Sequence, residues 1–396
     1  MKILVVCQYY YPEPFRIPDI CEALAARGHK VTIVTGVPNY PMGKIYPGYE
    51  HAQRRREMLR GVDVRRCFTI ARRSGALFRL LNYYSFAFSS ARYAKTLPDT
   101  YDVVFVNQLS PVMMASAGIA YKKKFGKKLV LYCLDLWPES LTAGGVSRES
   151  ILFRFFRKES EKVYRQADRI LVSSESFRDY FAREFGIQGA EHLPQYAEEL
   201  FSPEQCRKIP DGFLDLTFAG NIGTAQSVDT ILRAASLTKE ETKLRWHIVG
   251  DGIELSRLEA YAEEHGLKNV FFYGRKPLEE MPEYYRRADA MLVTMQKDDA
   301  LSLTLPGKVQ TYMAAGKPIL GAINGAAKSV IEESGCGRCA DAEDAEGLAA
   351  AARELLQHPE ELEIYGQKSR LWYEEHYSKE RFLAHLERCL SESCKQ

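Results

Sequence analysis

From residue 2 the chain alternates short apolar runs with amphipathic stretches, and near residue 214 it starts the alternation afresh. Lys2–Tyr9 is a continuous apolar run, and a proline-rich turn follows at Tyr11–Arg16. Ile17, Ile20 and Leu24 then recur at helical spacing up to Gly28, and Lys30–Thr35 is β-branched. Strand, helix and strand with short connections form the unit of a parallel sheet covered by helices. The pattern continues through Val62–Ile70, a long helix at Leu77–Leu97, Tyr101–Asn107, a helix from Pro111 to Phe125 and Lys128–Leu134. A helix near Ile151–Ala167, Arg169–Ser173 and a helix ending at Gly186 complete it. Between Tyr196 and Phe213 the periodicity fails, with Pro203, Pro210 and mixed charges. After it come Leu214–Phe218, Leu244–Val249, Val270–Tyr273, Ala290–Thr294 and Pro318–Ala322 with helices between them, and an amphipathic segment from Pro359 to Leu390. The expected fold class is therefore α/β, with two Rossmann-like doubly wound domains at 1–196 and 214–370, a linker at 197–213, and C-terminal helices at 371–396 that reach back to the first domain. Ligands of such sheets bind at the carboxyl ends of the strands, so a cleft between the two domains is the expected site.

A chain of 396 residues, 46% of them hydrophobic, is too long for one core, which agrees with two domains. Its nine cysteines are scattered, which fits a reducing cytosol better than a disulfide framework. Cys336-Gly-Arg-Cys339 has the spacing of a metal or redox pair but no second pair, and reads as a turn. The opening Met1–Cys7 is too short for a secretory leader, and no stretch is long enough to span a bilayer. The net charge of +2 hides an uneven distribution: Lys44–Lys95 carries twelve Lys or Arg against Glu50, Glu57 and Asp63, leaving about −7 for the rest.

Four loops at strand ends are glycine-rich or bounded by proline: Tyr11–Pro14, Gly220–Gly223, Gly250–Gly252 and Leu305–Lys308. In the last, Pro306 and Gly307 open a helix that Gly316 closes. A helix N-terminus attracts anions, and Lys308 lies in its first turn, where a cation is otherwise unfavourable. Either a phosphate resolves that conflict or Lys308 is a solvated lysine on an ordinary connection. Gly220–Gly223 ahead of a helix is likewise either a diphosphate cradle or a tight turn required by packing.

His247–Gly252, Asn269–Arg275, Met281–Thr294 and Lys308–Ile319, in that order and spacing, resemble the family 4 retaining glycosyltransferases of the GT-B fold. Gln8–Arg16, Gly28–Thr35 and Pro38–Pro41 resemble a subgroup acting in bacterial surface polysaccharide assembly, and Asp135–Ser140 resembles its N-acetylfucosamine-type transferases. The resemblance implies donor binding in the C-terminal domain: nucleobase near Arg275, diphosphate held by Gly220–Gly223 and the helix at Gly307, with Asn221, Gln226, Thr304, Lys308 and Thr311 as further donor contacts. It implies acceptor binding in the N-terminal domain, with Glu13 and Arg16 near the transferred sugar and Trp137 on the acceptor. The sequence departs from the family where Asn221 and Gln226 stand for a basic pair, and Leu303 and Thr311 for two glutamates. Lys308 restores one positive charge at the diphosphate.

The family's front-face chemistry, in which the donor's phosphate takes the acceptor proton, needs alignment and no metal. Asp135 at a strand end is the candidate for orienting the acceptor hydroxyl together with Glu13, although a capping role on the turn into Trp137-Pro138 explains Asp135 equally well. The arginines from Arg54 to Arg79 lead into a helix with Leu77, Leu81, Tyr84, Phe88 and Ala91 on one face. That face either covers the sheet or lies on anionic lipid, and the flanking charge favours lipid; no nucleic-acid module is recognisable. The expectation is a cytoplasmic, peripheral membrane glycosyltransferase moving an N-acetylated hexose or deoxyhexose from a UDP-sugar to a lipid-linked or oligosaccharide acceptor, without cofactor or metal. The alternative is a catalytically impaired sugar-nucleotide-binding or scaffold subunit.

Overall fold

The structure is a computed structural model that describes residues 1–73 and 75–395. The chain forms two compact units, Met1–Leu193 joined by the chain from Leu383 onward, and Pro194–Phe382. No helix among the described residues is long and apolar enough to cross a membrane.

The first unit contains β1 (Lys2–Val6), α1 (Ile17–Ala26), β2 (Lys30–Gly36), β3 (Arg56–Leu59), β4 (Val62–Cys67), α2 (Ala76–Ala94), β5 (Val103–Gln108), α3 (Ser116–Phe125), β6 (Lys128–Cys133), α4 (Ile151–Tyr164), β7 (Arg169–Val172), α5 (Glu175–Phe185) and β8 (Glu191–His192). Its sheet runs β3-β4-β2-β1-β5-β6-β7-β8, parallel except for the β3–β4 hairpin. That hairpin absorbs much of the basic stretch. Arg56 and Arg65 both reach Asp63, Arg66 pairs with Glu57, and Arg60 pairs with Glu22. The two central strands β1 and β5 are wholly buried beyond Lys2, which is why their sequences are continuous apolar runs without alternation.

The second unit contains α6 (Pro203–Cys206), β9 (Leu214–Ala219), α7 (Asp229–Leu237), β10 (Leu244–Val249), α8 (Leu255–Glu264), β11 (Val270–Gly274), α9 (Met281–Arg287), β12 (Ala290–Thr294), α10 (Asp299–Ser302), α11 (Gly307–Ala314), β13 (Ile319–Ala322), α12 (Ala326–Ser334), β14 (Gly337–Ala340), α13 (Ala345–Gln357) and α14 (Glu360–His376), and α15 (Lys379–Lys395) closes the chain. Its six strands are all parallel, in the order β11-β10-β9-β12-β13-β14. One face is covered by α7, α8 and α13, with Trp246 and Leu348 fully buried; the other by α9, α11, α12 and α14, around Tyr312 and Met313. The segment read as a linker, 197–213, is packed chain up to Cys206, since Ala197, Phe201 and Cys206 are buried in this second core. Cys336–Cys339 is no turn: Gly337–Ala340 is the edge strand β14, paired to β13, and Cys336 is buried. The C-terminal segment is two helices, broken between His376 and Lys379. From Leu383 the last helix belongs to the first unit, where Glu387 pairs with Arg27 and His29.

Each sheet reverses its strand order about one strand, β1 in the first unit and β9 in the second. The loops leaving β1 and β5, and those leaving β9 and β12, therefore open at the two switch points.

Candidate functional sites of the two units

In the second unit, the loop after β9 is pressed against its neighbours so closely that side chains are excluded. Gly250 has φ of 149°, and a Cβ there would lie 1.8 Å from the carbonyl oxygen of Gly220. Gly220 donates to the Val249 carbonyl at 2.9 Å and Gly250 donates to the Gly274 carbonyl at 3.0 Å, so the loops after β9, β10 and β11 lie side by side. Beyond Gly220, the Asn221 amide donates to Gln226 Oε1 at 3.0 Å, and the Gly223 N–H donates to the same oxygen at 3.2 Å. Thr294 Oγ1 donates to the Gln226 carbonyl at 2.6 Å, tying this loop to the end of β12.

Lys308 leaves the first turn of α11 and turns back onto this loop. Its Nζ lies 3.7 Å from the centroid of the Phe218 ring, and a Cβ on Gly220 would stand 3.0 Å from it. The stem is half-buried but Nζ itself is enclosed and makes no hydrogen bond among the described residues. Burial alone pushes the amine down to about 7. An enclosed ammonium without a counter-charge is costly. At α11 the cost is compounded, because the helix N-terminus adds partial positive charge. The same arrangement suits a phosphate, which would meet free N–H groups, a cation and glycine backbone together.

The remaining donor candidates are placed less favourably. Arg275 follows β11, is exposed and makes no ion pair among the described residues. Thr304 is half-buried, its N–H donating to the Leu301 carbonyl at 3.0 Å. Thr311 Oγ1 donates to the Gly307 carbonyl at 3.1 Å, within its own helix. Asp298 caps α10 through the Leu301 N–H at 2.9 Å, which accounts for one of the two adjacent carboxylates at 298–299.

In the first unit, Asp135 and Trp137 are brought together by a residue that sequence reasoning missed. The Trp137 Nε1–H donates to Ser110 Oγ at 2.7 Å, and the Ser110 hydroxyl donates to Asp135. Burial pushes the Asp135 carboxyl up to about 6, and the Ser110 hydrogen bond opposes that rise. Ser110 follows β5 and precedes Pro111, so a polar residue two positions beyond a buried strand at the switch point was the available signal. The Trp137 ring is only 2% exposed and lies edge-on between Tyr83 of α2 and Phe156 of α4, with centroids at 6.2 and 5.0 Å.

Glu13 is organised differently. Its carboxylate is buried and accepts three backbone N–H groups, from Tyr10 at 3.1 Å, Asn39 at 2.8 Å and Tyr40 at 2.7 Å. Burial pushes it up to about 7, against those three donors. The side chain thus clamps the loop after β1 to the loop after β2. Arg16 is half-buried at the N-terminus of α1, close enough to Tyr132 to influence it electrostatically.

Glu191, His385 and Cys389 hold ligand-type atoms within 4.8 Å of one another. Arg169 already pairs with Glu191 and Glu392, and burial pushes the Cys389 thiol up to about 12. A cation there would face the Arg169 guanidinium, which already neutralises Glu191.

Residues 15–193 match the family described as Glycosyl transferase 4-like domain, and residues 204–372 match Glycosyl transferases group 1. The chain thus carries one glycosyltransferase domain in each unit and is a glycosyltransferase. It is 26% identical over 394 residues to WcaI of Escherichia coli, named as a colanic acid biosynthesis glycosyl transferase, covering 91% of this chain and 93% of that one. It is 28% identical over 306 residues to WbjE of Pseudomonas aeruginosa, named as a glycosyltransferase, covering 73% and 76%. HepE of Anabaena in complex with UDP superposes with a TM-score of 0.73 at 14% identity, covering 99% of this chain and 100% of that one. The fold is that of the GT-B glycosyltransferases, as the sequence led us to expect.

Proposed function

We propose that this glycosyltransferase is a retaining enzyme of bacterial surface polysaccharide biosynthesis, making capsule, O-antigen or exopolysaccharide. It moves an N-acetylated hexose or deoxyhexose from a UDP-sugar to a lipid-linked or oligosaccharide acceptor. The observation that carries this reading is Lys308, an enclosed amine without a hydrogen-bond partner among the described residues, set between a helix N-terminus and the Gly220 backbone. A diphosphate supplies the missing counter-charge. The similarity to a protein named for colanic acid biosynthesis supports the pathway class, and the UDP complex of HepE supports the nucleotide.

In this reading the second unit holds the donor, with Gly220, Asn221, Gly223, Gln226 and Lys308 around the diphosphate, Thr304 and Thr311 beside it, and Arg275 near the base. The first unit holds the acceptor: Arg16 and Trp137 shape its site, Glu13 fixes the loop on which it rests, and Asp135 accepts a hydrogen bond from the reacting hydroxyl. The acceptor oxygen bonds to C1 of the sugar, the bond from C1 to the β-phosphate oxygen breaks, and the acceptor proton passes to that oxygen. Lys308 and the α11 N-terminus stabilise the charge that develops there, so no metal is required. The protein works in the cytoplasm, with the basic segment 54–95 against anionic membrane lipid.

A second reading, a scaffold subunit that binds sugar nucleotide without turning it over, draws on Leu303 and Thr311. Thr311 spends its hydroxyl on its own helix and offers no carboxylate. Calorimetry of UDP and of GDP, each with EDTA and with magnesium, tests the donor assignment. UDP should bind in both conditions and more tightly than GDP; equal affinity for the two, or binding only with magnesium, would overturn it.

A further inference from the structure

The outer surface of α2 carries Leu77, Leu81, Tyr84 and Phe88, all exposed, with Phe88 at 75%. Their spacing puts them on one side of the helix over about 16 Å. A second group of exposed apolar side chains, Ile151, Leu152 and Phe155, occupies the first turns of α4. Trp137 fixes the relation between the two helices: Tyr83 reaches it from α2 and Phe156 from α4, each edge-on. The neighbours of those buried rings, Tyr84 and Phe155, therefore both lie on the solvent side, and Glu159 of α4 is close enough to act electrostatically on Tyr84.

We propose that α2 and α4 together form one bilayer-docking face, in which the α4 wedge of Ile151, Leu152 and Phe155 inserts beside the α2 stripe. This deepens the membrane association proposed above and rests on that reading.

Charge selects the occupant. Arg73 before the stripe, Arg79 within its first turn, Arg92 and Lys95 beyond it, and Arg154 and Lys158 on α4 are exposed and form no ion pair among the described residues. At the far end of α2 a groove of about 450 Å³, floored by Ala91 and Ile119, is rimmed by Lys95, Lys123 and Lys124. A second copy docking by two-fold symmetry would set this cationic rim against an identical cationic rim. An anionic bilayer satisfies both halves of the pattern, acyl chains for the aliphatic residues and headgroups for the basic rim.

The test is co-sedimentation of the full chain with phosphatidylcholine vesicles, with and without phosphatidylglycerol, for the wild type, Ile151→Asp with Phe155→Asp, and Leu77→Asp with Phe88→Asp. All four positions are exposed, and UDP binding in the second unit reports that the variants remain folded. The wild type should partition onto phosphatidylglycerol vesicles, and each double variant should lose roughly tenfold or more of that partitioning, with UDP affinity unchanged. Loss in the α2 variant with wild-type binding in the α4 variant would overturn the two-helix face. Absence of vesicle binding, with a dimer in solution that the α4 variant dissolves, would replace the bilayer by a second copy and overturn it as well. Vesicle binding without any UDP binding would refute the donor reading and leave this face supported.

Discussion

Replacing Lys308 by methionine keeps the length of the side chain and removes only its amine. The lysine titrates at 10.5 when solvated and is pushed down to about 7 by burial. At ~1.4 kcal/mol per pH unit, holding the charged form there costs on the order of 4–5 kcal/mol. The unfolded chain keeps this proton until about 10.5, whereas the folded chain releases it near 7. Between those values the unfolded state binds more protons, so stability rises with pH across that window and is lowest below it. A diphosphate reverses the balance by supplying the counter-charge. UDP binding at pH 8 should then take up close to one proton, and affinity should fall by up to ~10-fold per pH unit above 8. Calorimetry in two buffers of different ionisation enthalpy reads this directly, as a buffer-dependent apparent enthalpy. Lys308→Met should abolish the buffer dependence and weaken UDP binding near pH 7 by ~1.5–3 kcal/mol. The same variant should unfold at a higher temperature, because an enclosed charge is gone. Normal UDP binding by Lys308→Met, or a buffer-independent enthalpy in the wild type, would refute the reasoning.

Other outcomes follow from the same geometry. Asp135→Asn should lower kcat by ~100-fold or more, and wild-type activity should decline as pH falls through about 6, where Asp135 loses its charge. Ser110→Ala removes the donor that stabilises that carboxylate, so the acid limb of the pH–rate profile should move to higher pH while UDP affinity stays unchanged. Gly250→Ala forces a Cβ onto the Gly220 carbonyl at a φ that side chains avoid, and denaturant titration should show a loss of at least ~2 kcal/mol. Glu13→Gln sets an amide N–H₂ against backbone donors and should cost about 1–3 kcal/mol, read as a lower midpoint in urea.

The elements that the sequence revealed most accurately are those whose burial leaves no alternation. Ala290–Thr294 is a strand with the expected bounds, because a strand covered on both faces is a bare apolar run. The hairpin strand β3 was not expected, since Arg56–Leu59 is an edge strand of mixed polarity; its signal was the Arg60-Gly61 turn, both residues at positive φ. Cys336–Cys339 was misread because a short segment with glycines on both sides of Cys336 looks like a turn when the neighbour that makes Gly337–Ala340 a strand is unknown. Among site residues, the placement of Lys308 at a helix start was legible, but the enclosure of its Nζ by Phe218 and Gly220 is a tertiary fact. The three N–H groups on Glu13 come from loops 26 residues apart and could not be read locally. Ser110 drew no notice because its importance lies in a contact with Asp135 across the ends of β5 and β6.

The most direct trial of the transferase reading is to incubate the purified protein, alone, with UDP-N-acetylhexosamines and a short-chain polyprenyl-diphosphate-linked sugar, and to follow UDP release in EDTA and in magnesium. Acceptor-dependent UDP release in both conditions, with retention at the anomeric carbon of the product, is the expected result. UDP that binds yet is never released from a donor unless a second protein is added would contradict it, and would make the chain the scaffold subunit of another transferase.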